Sequence, residues 1–108
     1  MRAKWSLAVG GMSLFFLVAG AAQAAGNPVA GREKAYTCLG CHGVKGYRTM
    51  YPSYHVPLLG GQHAQYIVNA LMEYKNGQRK MATMQAQAES LSKQDMEDIA
   101  AYFSQKKQ

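Results

Sequence analysis

Two stretches of the chain repeat apolar residues with a helical period, a third opens on a helix-start signal, and the intervals between them show no period. Between Gln62 and Lys75, the residues Tyr66, Ile67, Ala70, Leu71 and Tyr74 recur at helical spacing, and Asn76-Gly77 supplies the stop. Ser92 followed by Asp95 has the form of a capping box, opening a last helix in which Met96, Ile99, Ala100 and Phe103 make one stripe. Lys106-Lys107 suits the C-terminal end of that helix, where its dipole favours cations. Upstream, Asn27 is a candidate N-cap and Pro28 suits the first helical position, predicting a helix that runs through Thr37 into the residues beyond. Gly31 in its middle costs about 1 kcal/mol against alanine, which points to a close approach by another backbone. The interval from Gly43 to Gly61, broken by glycines and prolines, reads as a loop. Gln78 to Ser90 is polar and rich in Met and Gln, with its structure left open. With no convincing strand run after residue 24, the expected fold is all-α, with three main helices plus loops.

The start of the chain has a different pattern. Arg2 and Lys4 precede an uncharged run from Ser6 to Ala22 rich in Leu, Phe, Val and Ala, and Ala22-Gln23-Ala24 offers small residues where a signal peptidase reads. The expectation is a secretory signal over 1–24, cleaved after about Ala24, and a single domain over 25–108. The alternative is a retained anchor, because the uncharged run from Trp5 to Pro28 approaches the roughly 20 apolar residues a bilayer span needs. No cysteine lies near the cut to carry a lipid. Cleavage there leaves 84 of the 108 residues and lowers the formal charge from +6 to +4, so the basic character persists. A chain this short has no room for a second core, and a hydrophobic fraction of 48% is too high for disorder.

An 84-residue exported domain buries little surface, and such domains recruit disulfides, a metal or a large cofactor. Both cysteines lie in Cys38-Leu39-Gly40-Cys41-His42, too close together for a disulfide to brace the rest of the chain. Four readings compete. Structural zinc needs a second ligand pair, and Asp95, His55 and His63 show no matching spacing. A redox dithiol needs a strand before it and a βαβ surround. Chance occurrence is open to any five-residue string. Covalent haem attachment needs only what is present, two thiols one helical turn apart to add across the haem vinyl groups and an adjacent imidazole for the iron. Export also suits this fourth reading, which the residues favour.

The order of elements resembles the class I c-type cytochromes over essentially the whole exported chain: a helix ending in CxxCH, an irregular proline-containing loop, a middle helix, a Met-containing loop and a last helix. Pro57-Leu-Leu-Gly-Gly-Gln62, then Tyr66, Leu71 and Gly77, then Leu91-Ser-Lys-Gln-Asp95 and Ile99-Ala-Ala-Tyr-Phe103 are similar to the short mono-haem bacterial periplasmic group, and to one half of its two-haem members. The resemblance implies the small class I cytochrome c fold wrapped around one haem c, attached through Cys38 and Cys41 with His42 as axial ligand. It implies that Gly31 lets the terminal helices cross near Ala101 and Tyr102. It also implies a methionine as sixth ligand about seven residues before Leu91-Ser92, which is Met84, with Met81 on the same loop as runner-up. Met50 lies in the first loop, while Met72 and Met96 read as helix-face packing. His55 and His63 offer bis-His ligation as a lesser alternative. Tyr47, Tyr51 and Tyr54 read as haem-wall packing, and Arg48, Arg79 and Gln62 as candidate partners for the haem propionates.

The function so implied is an electron carrier with no substrate chemistry of its own, a periplasmic monomer shuttling one electron between redox proteins. Its basic residues Lys45, Arg48, Lys75, Arg79 and Lys80 predict a partner with an acidic docking patch, since Glu73 is the sole acidic residue between Lys45 and Lys80. Nucleic acid is not expected, for no recognition motif is present, and a membrane is expected only through partner complexes. Two alternatives stay open: a haem subunit feeding electrons into a larger oxidoreductase, and a sensor or enzyme whose sixth haem position is vacant.

Overall fold

The computed structural model describes residues 26–107, so the expected leader and its cleavage near Ala24 lie outside the described residues. Five helices follow one another: α1 (Pro28–Lys34), α2 (Tyr36–His42), α3 (Ala64–Lys75), α4 (Ala82–Glu89) and α5 (Lys93–Gln105). Among the described residues no strand forms, and the loop over 43–61 contains one isolated antiparallel bridge, Arg48 to His55. The all-α expectation holds, with five helices in place of three.

The extra boundaries have local causes. The Asn27 side chain accepts from the backbone N–H groups of Val29 and Ala30, and Pro28 takes the first turn, so α1 starts where its cap predicts. The expected single first helix is broken at Ala35, a fully buried residue whose carbonyl accepts from both Cys38 and Leu39 at 2.9 and 3.1 Å. Helix α2 carries the whole CLGCH segment. Helix α4 occupies the polar stretch whose structure the sequence left open. Its only buried residue is Ala88, so it has no apolar stripe for a periodicity to reveal.

The core lies between α3 and α5, closed by Ala88 of α4 and by Ala35 at the junction of α1 and α2. Met96, Ile99, Ala100 and Phe103 are all buried, as the stripe predicts. On α3 only Ile67 and Leu71 of the five periodic residues are buried, joined by Val68. Tyr66, Ala70 and Tyr74 line a cavity; Tyr66 is 50% exposed, and Tyr74 also packs against the core.

Helix α1 lies across α5 at backbone contact. A Cβ built on Gly31 overlaps the Asp98 carbonyl and comes within 3.0 Å of the Tyr102 Cβ, and one built on Gly26 overlaps the Glu97 carbonyl. The crossing is therefore centred on Asp98 and Tyr102: the expected Tyr102 is there, Asp98 one turn earlier stands in place of the expected Ala101, and glycine is needed because no side chain fits between the two backbones. Asp98, 3% exposed, clamps the pair. Its carboxylate accepts from the Asn27 backbone N–H at 2.8 Å, from Lys34 Nζ at 2.6 Å and from Gln94 Nε2 at 2.9 Å. Lys34 Nζ also reaches Asp95 at 2.7 Å, and Asp95 closes the capping box with Ser92. Lys34, then the Asn27 N–H, holds the Asp98 carboxyl down to about 2. Asp95 is driven well below the ordinary carboxylate range by Lys34 and by the Ser92 bonds, and Lys34 is raised in turn by Asp95 and Asp98.

Candidate functional site

A cavity of about 430 Å³ opens between α2, the loop over 49–59, α3 and the segment leading into α4. Its size falls in the range of pockets for small molecules and cofactors, roughly 300 to 1,000 Å³. Cys38, Cys41, His42, Met81 and Met84 all line it. Leu59, Ile67, Ala70, Leu71, Leu91 and Ile99 supply apolar wall, and all of these but Ala70 also belong to the core or pack against it.

Helix α2 sets the geometry of the motif. Cys38 and Cys41 are three residues apart on one helix, which puts both thiols on one face, and burial pushes the Cys38 thiol above its ordinary value. His42 is the last residue of α2, and its Nδ1 lies 2.7 Å from the Pro57 carbonyl oxygen. A carbonyl only accepts, so Nδ1 carries the proton and Nε2 of the neutral ring is left with a lone pair for a metal. Sequence reasoning quotes Pro57 only within the Pro57–Gln62 resemblance and gives it no role at His42. Pro57 acts through a backbone carbonyl, which carries no side-chain signal.

The remaining candidates divide cleanly. Met84 sits in the first turn of α4 and Met81 is its N-cap residue, both partly buried on the cavity wall. Met96 is in the core and Met72 packs against it, while Met50 is 87% exposed and lies off the cavity. Tyr54, His55, Arg79 and Lys80 line the cavity; Tyr47, Arg48, Tyr51, Gln62 and His63 do not. Arg79 is held over the Tyr74 ring at 5.3 Å, donates to the Tyr66 hydroxyl at 3.3 Å and has Glu73 at 3.8 Å. The hydroxyl of Tyr66 foremost raises the affinity of the Arg79 guanidinium for its proton. Among the described residues no Asp or Glu lines the cavity.

These features fit a haem. Paired thiols, an imidazole with Nε2 free, a thioether from a separate segment, apolar walls, and cations without carboxylates match its vinyl groups, iron, ring and two propionates. Zinc does not fit, for among the described residues no group of three or more His, Cys, Asp or Glu side chains is arranged to hold a metal ion.

The sequence pattern of the cytochrome c family matches residues 28–107. Cytochrome c-554(548) of Halomonas halodenitrificans is 43% identical over 83 residues, covering 74% of this chain and 96% of that protein. Cytochrome c4 of Pseudomonas aeruginosa is 40% identical over 88 residues, covering 82% of this chain but 42% of the relative. The cytochrome subunit of sulfide dehydrogenase from Chlorobaculum tepidum is 33% identical over 86 residues, with 77% and 74% of the two chains covered. Among solved structures, cytochrome c4 of Acidithiobacillus ferrooxidans superposes with a TM-score of 0.57 at 27% identity, over 77% of this chain and 52% of that one. The chain thus belongs to the cytochrome c family, the class of electron-transfer proteins that carry a covalently attached haem c. It spans a little under half the length of the cytochrome c4 relatives it matches, and nearly the whole of cytochrome c-554(548).

Proposed function

We propose that this chain is a one-electron carrier with a single haem c, which Cys38 and Cys41 would bind covalently and whose iron His42 and Met84 would ligate. The group supplies an iron that cycles between Fe(III) and Fe(II). The observation that carries the assignment is the 2.7 Å bond from His42 Nδ1 to the Pro57 carbonyl, which fixes the ring tautomer, within a cavity that also holds both thiols and the Met84 thioether. Met84 supplies a neutral, weak donor that favours the reduced metal and so raises the reduction potential. Leu59, Ile67, Leu71 and Ile99 keep water from the site, which lowers the reorganisation that accompanies a change of charge. Arg79, oriented by Tyr66 and Tyr74, and Lys80 neutralise the propionates. Lys45, Arg48, Lys75 and Lys80, all exposed, steer an acidic redox partner to this side.

The leader Met1 to Ala24 supports export and a periplasmic site of action. Among the described residues no helix is long and apolar enough to cross a membrane. A second reading, a haem subunit that passes electrons within a larger oxidoreductase, draws on the sulfide dehydrogenase relative. Carbon monoxide tests the ligand set behind the carrier role. The ferrous holoprotein with both axial positions filled leaves its spectrum unchanged under the gas, and rapid formation of a carbonyl adduct marks a vacant sixth position and refutes this assignment.

A further inference from the structure

A second cavity, of about 400 Å³, lies where the C-terminal ends of α2 and α5 meet the segment 58–60. It too falls in the range of roughly 300 to 1,000 Å³ that holds small molecules. The chain from Pro57 to Gly60 separates it from the first: Pro57 and Leu59 line the first cavity, while Leu58 and Gly60 line the second. Among the described residues His42 alone lines both. Leu58, half-buried, and Phe103, buried, give the second cavity an apolar wall. Gly43 and Gly60 add backbone without side-chain bulk.

Two cations reach this space from separate elements, Lys45 from just beyond α2 and Lys106 from the C-cap of α5. Among the described residues no Asp or Glu lines it, and the ion pairs engage Lys34, Arg79 and Lys93, so neither Lys45 nor Lys106 has a carboxylate partner. Lys106 Nζ lies 5.9 Å from the centroid of the Tyr102 ring, which accepts from none of its N–H groups as an oxygen does. Both helices end here, and each C-terminus carries about half a negative charge against a full positive one on each lysine, so the surplus is positive. The nearby carbonyls are already engaged: Gly43 N–H reaches those of Leu39 and Cys41, and the Phe103 carbonyl accepts from Gly61 and Lys106 N–H. The propionates of the proposed haem are assigned to Arg79 and Lys80 on the first cavity, so they leave Lys45 and Lys106 unmatched.

We propose that the second cavity binds a small organic carboxylate, its apolar body against Leu58 and Phe103 and its charge between Lys45 and Lys106. The carboxylate accepts from the two ammonium groups, and such charge-assisted bonds are about twice as strong as neutral ones. The apolar body sets the ligand class. A strongly hydrated inorganic ion loses water against Leu58 and Phe103 and gains nothing polar there, whereas an organic carboxylate buries carbon on carbon. The site stands apart from the iron and does not depend on which residues ligate it.

Amide NMR of the isotope-labelled ferrous holoprotein tests the site, with benzoate as the probe, benzamide as its neutral isostere and inorganic sulfate as the ion without an apolar body, all at fixed ionic strength. Benzoate gives saturable shifts at Lys45, Leu58, Gly60 and Lys106, benzamide gives none there, and sulfate binds at least about tenfold more weakly. Lys45→Gln and Lys106→Gln each weaken benzoate binding about tenfold, as loss of one charge-assisted bond requires. Lys107→Gln, altered at an exposed residue off the cavity, binds as the wild type does. The comparison of benzoate with benzamide is made on the wild type and stands whether or not a variant folds. Equal binding of benzamide, shifts that never saturate, or an equal loss in Lys107→Gln overturns the site, and sulfate binding as tightly as benzoate overturns the ligand class. Saturable benzoate binding in a holoprotein that lacks the weak red absorption of an iron-thioether bond refutes the ligation by Met84 and upholds the site.

Discussion

The imidazole of His42 donates from Nδ1 to the Pro57 carbonyl oxygen at 2.7 Å, across 15 residues of chain. That one bond joins the end of α2 to the far end of an aperiodic loop, and it does so at the residue proposed to bind iron. Ring orientation and tautomer are set together, so the ligand is prepared before a metal arrives.

Covalent attachment follows from the two thiols on one face of α2. Acid and organic solvent extraction of the denatured holoprotein leaves the haem on the polypeptide. In Cys38→Ala/Cys41→Ala any haem that binds is extracted. Free release from the wild-type chain contradicts the thioether assignment.

The ligand choice between Met84 and Met81 is decided by substitution. Met84→Ala loses the iron-thioether band and lowers the reduction potential, while Met81→Ala does neither. Both residues line the cavity, so the outcome depends on which sulfur reaches the metal. Reversed phenotypes assign the ligand to Met81.

Much of this architecture is legible in the sequence where side chains repeat or cap. The α5 stripe, the Ser92–Asp95 box, the Asn27 cap and the cysteine motif each act through residue types that declare themselves. The features that are not legible act through backbone or through distance in the chain. The break at Ala35 and the Pro57 carbonyl are main-chain events. The Lys34–Asp98 pair joins residues 64 apart, and Asp98 sits among the apolar residues of α5 with nothing local to mark it as buried. Helix α4 is short of apolar residues and takes its place by packing against α3.

The clamp between the terminal helices governs stability. Gly31→Ala forces a methyl group into the Asp98 carbonyl and costs about 3 kcal/mol of unfolding free energy, measured by chemical denaturation of the holoprotein. Asp98, with its carboxyl lowered from 3.8 to about 2, contributes stability that is fully present above about pH 4 and lost as pH falls through 2. Asp98→Asn therefore lowers the melting temperature at neutral pH and shows a smaller further loss on acidification than the wild type. Equal acid sensitivity in the two proteins contradicts the clamp.

Electrostatic steering is read from salt dependence. Oxidation of the ferrous protein by ferricyanide, an anion, slows as ionic strength rises, because salt screens the basic face over a Debye length of about 8 Å at physiological strength. Lys45→Gln/Lys80→Gln flattens that dependence; both side chains are exposed. A rate indifferent to salt removes charge from the docking argument.

Ligation of a haem iron by His42 and Met84 is decided by the absorption spectrum of the holoprotein in both redox states. The ferric protein shows a low-spin spectrum with the weak red band of an iron-thioether bond, and the ferrous protein shows the sharp, split bands of a six-coordinate c-type haem. A high-spin ferric spectrum without the red band contradicts ligation by His42 and Met84.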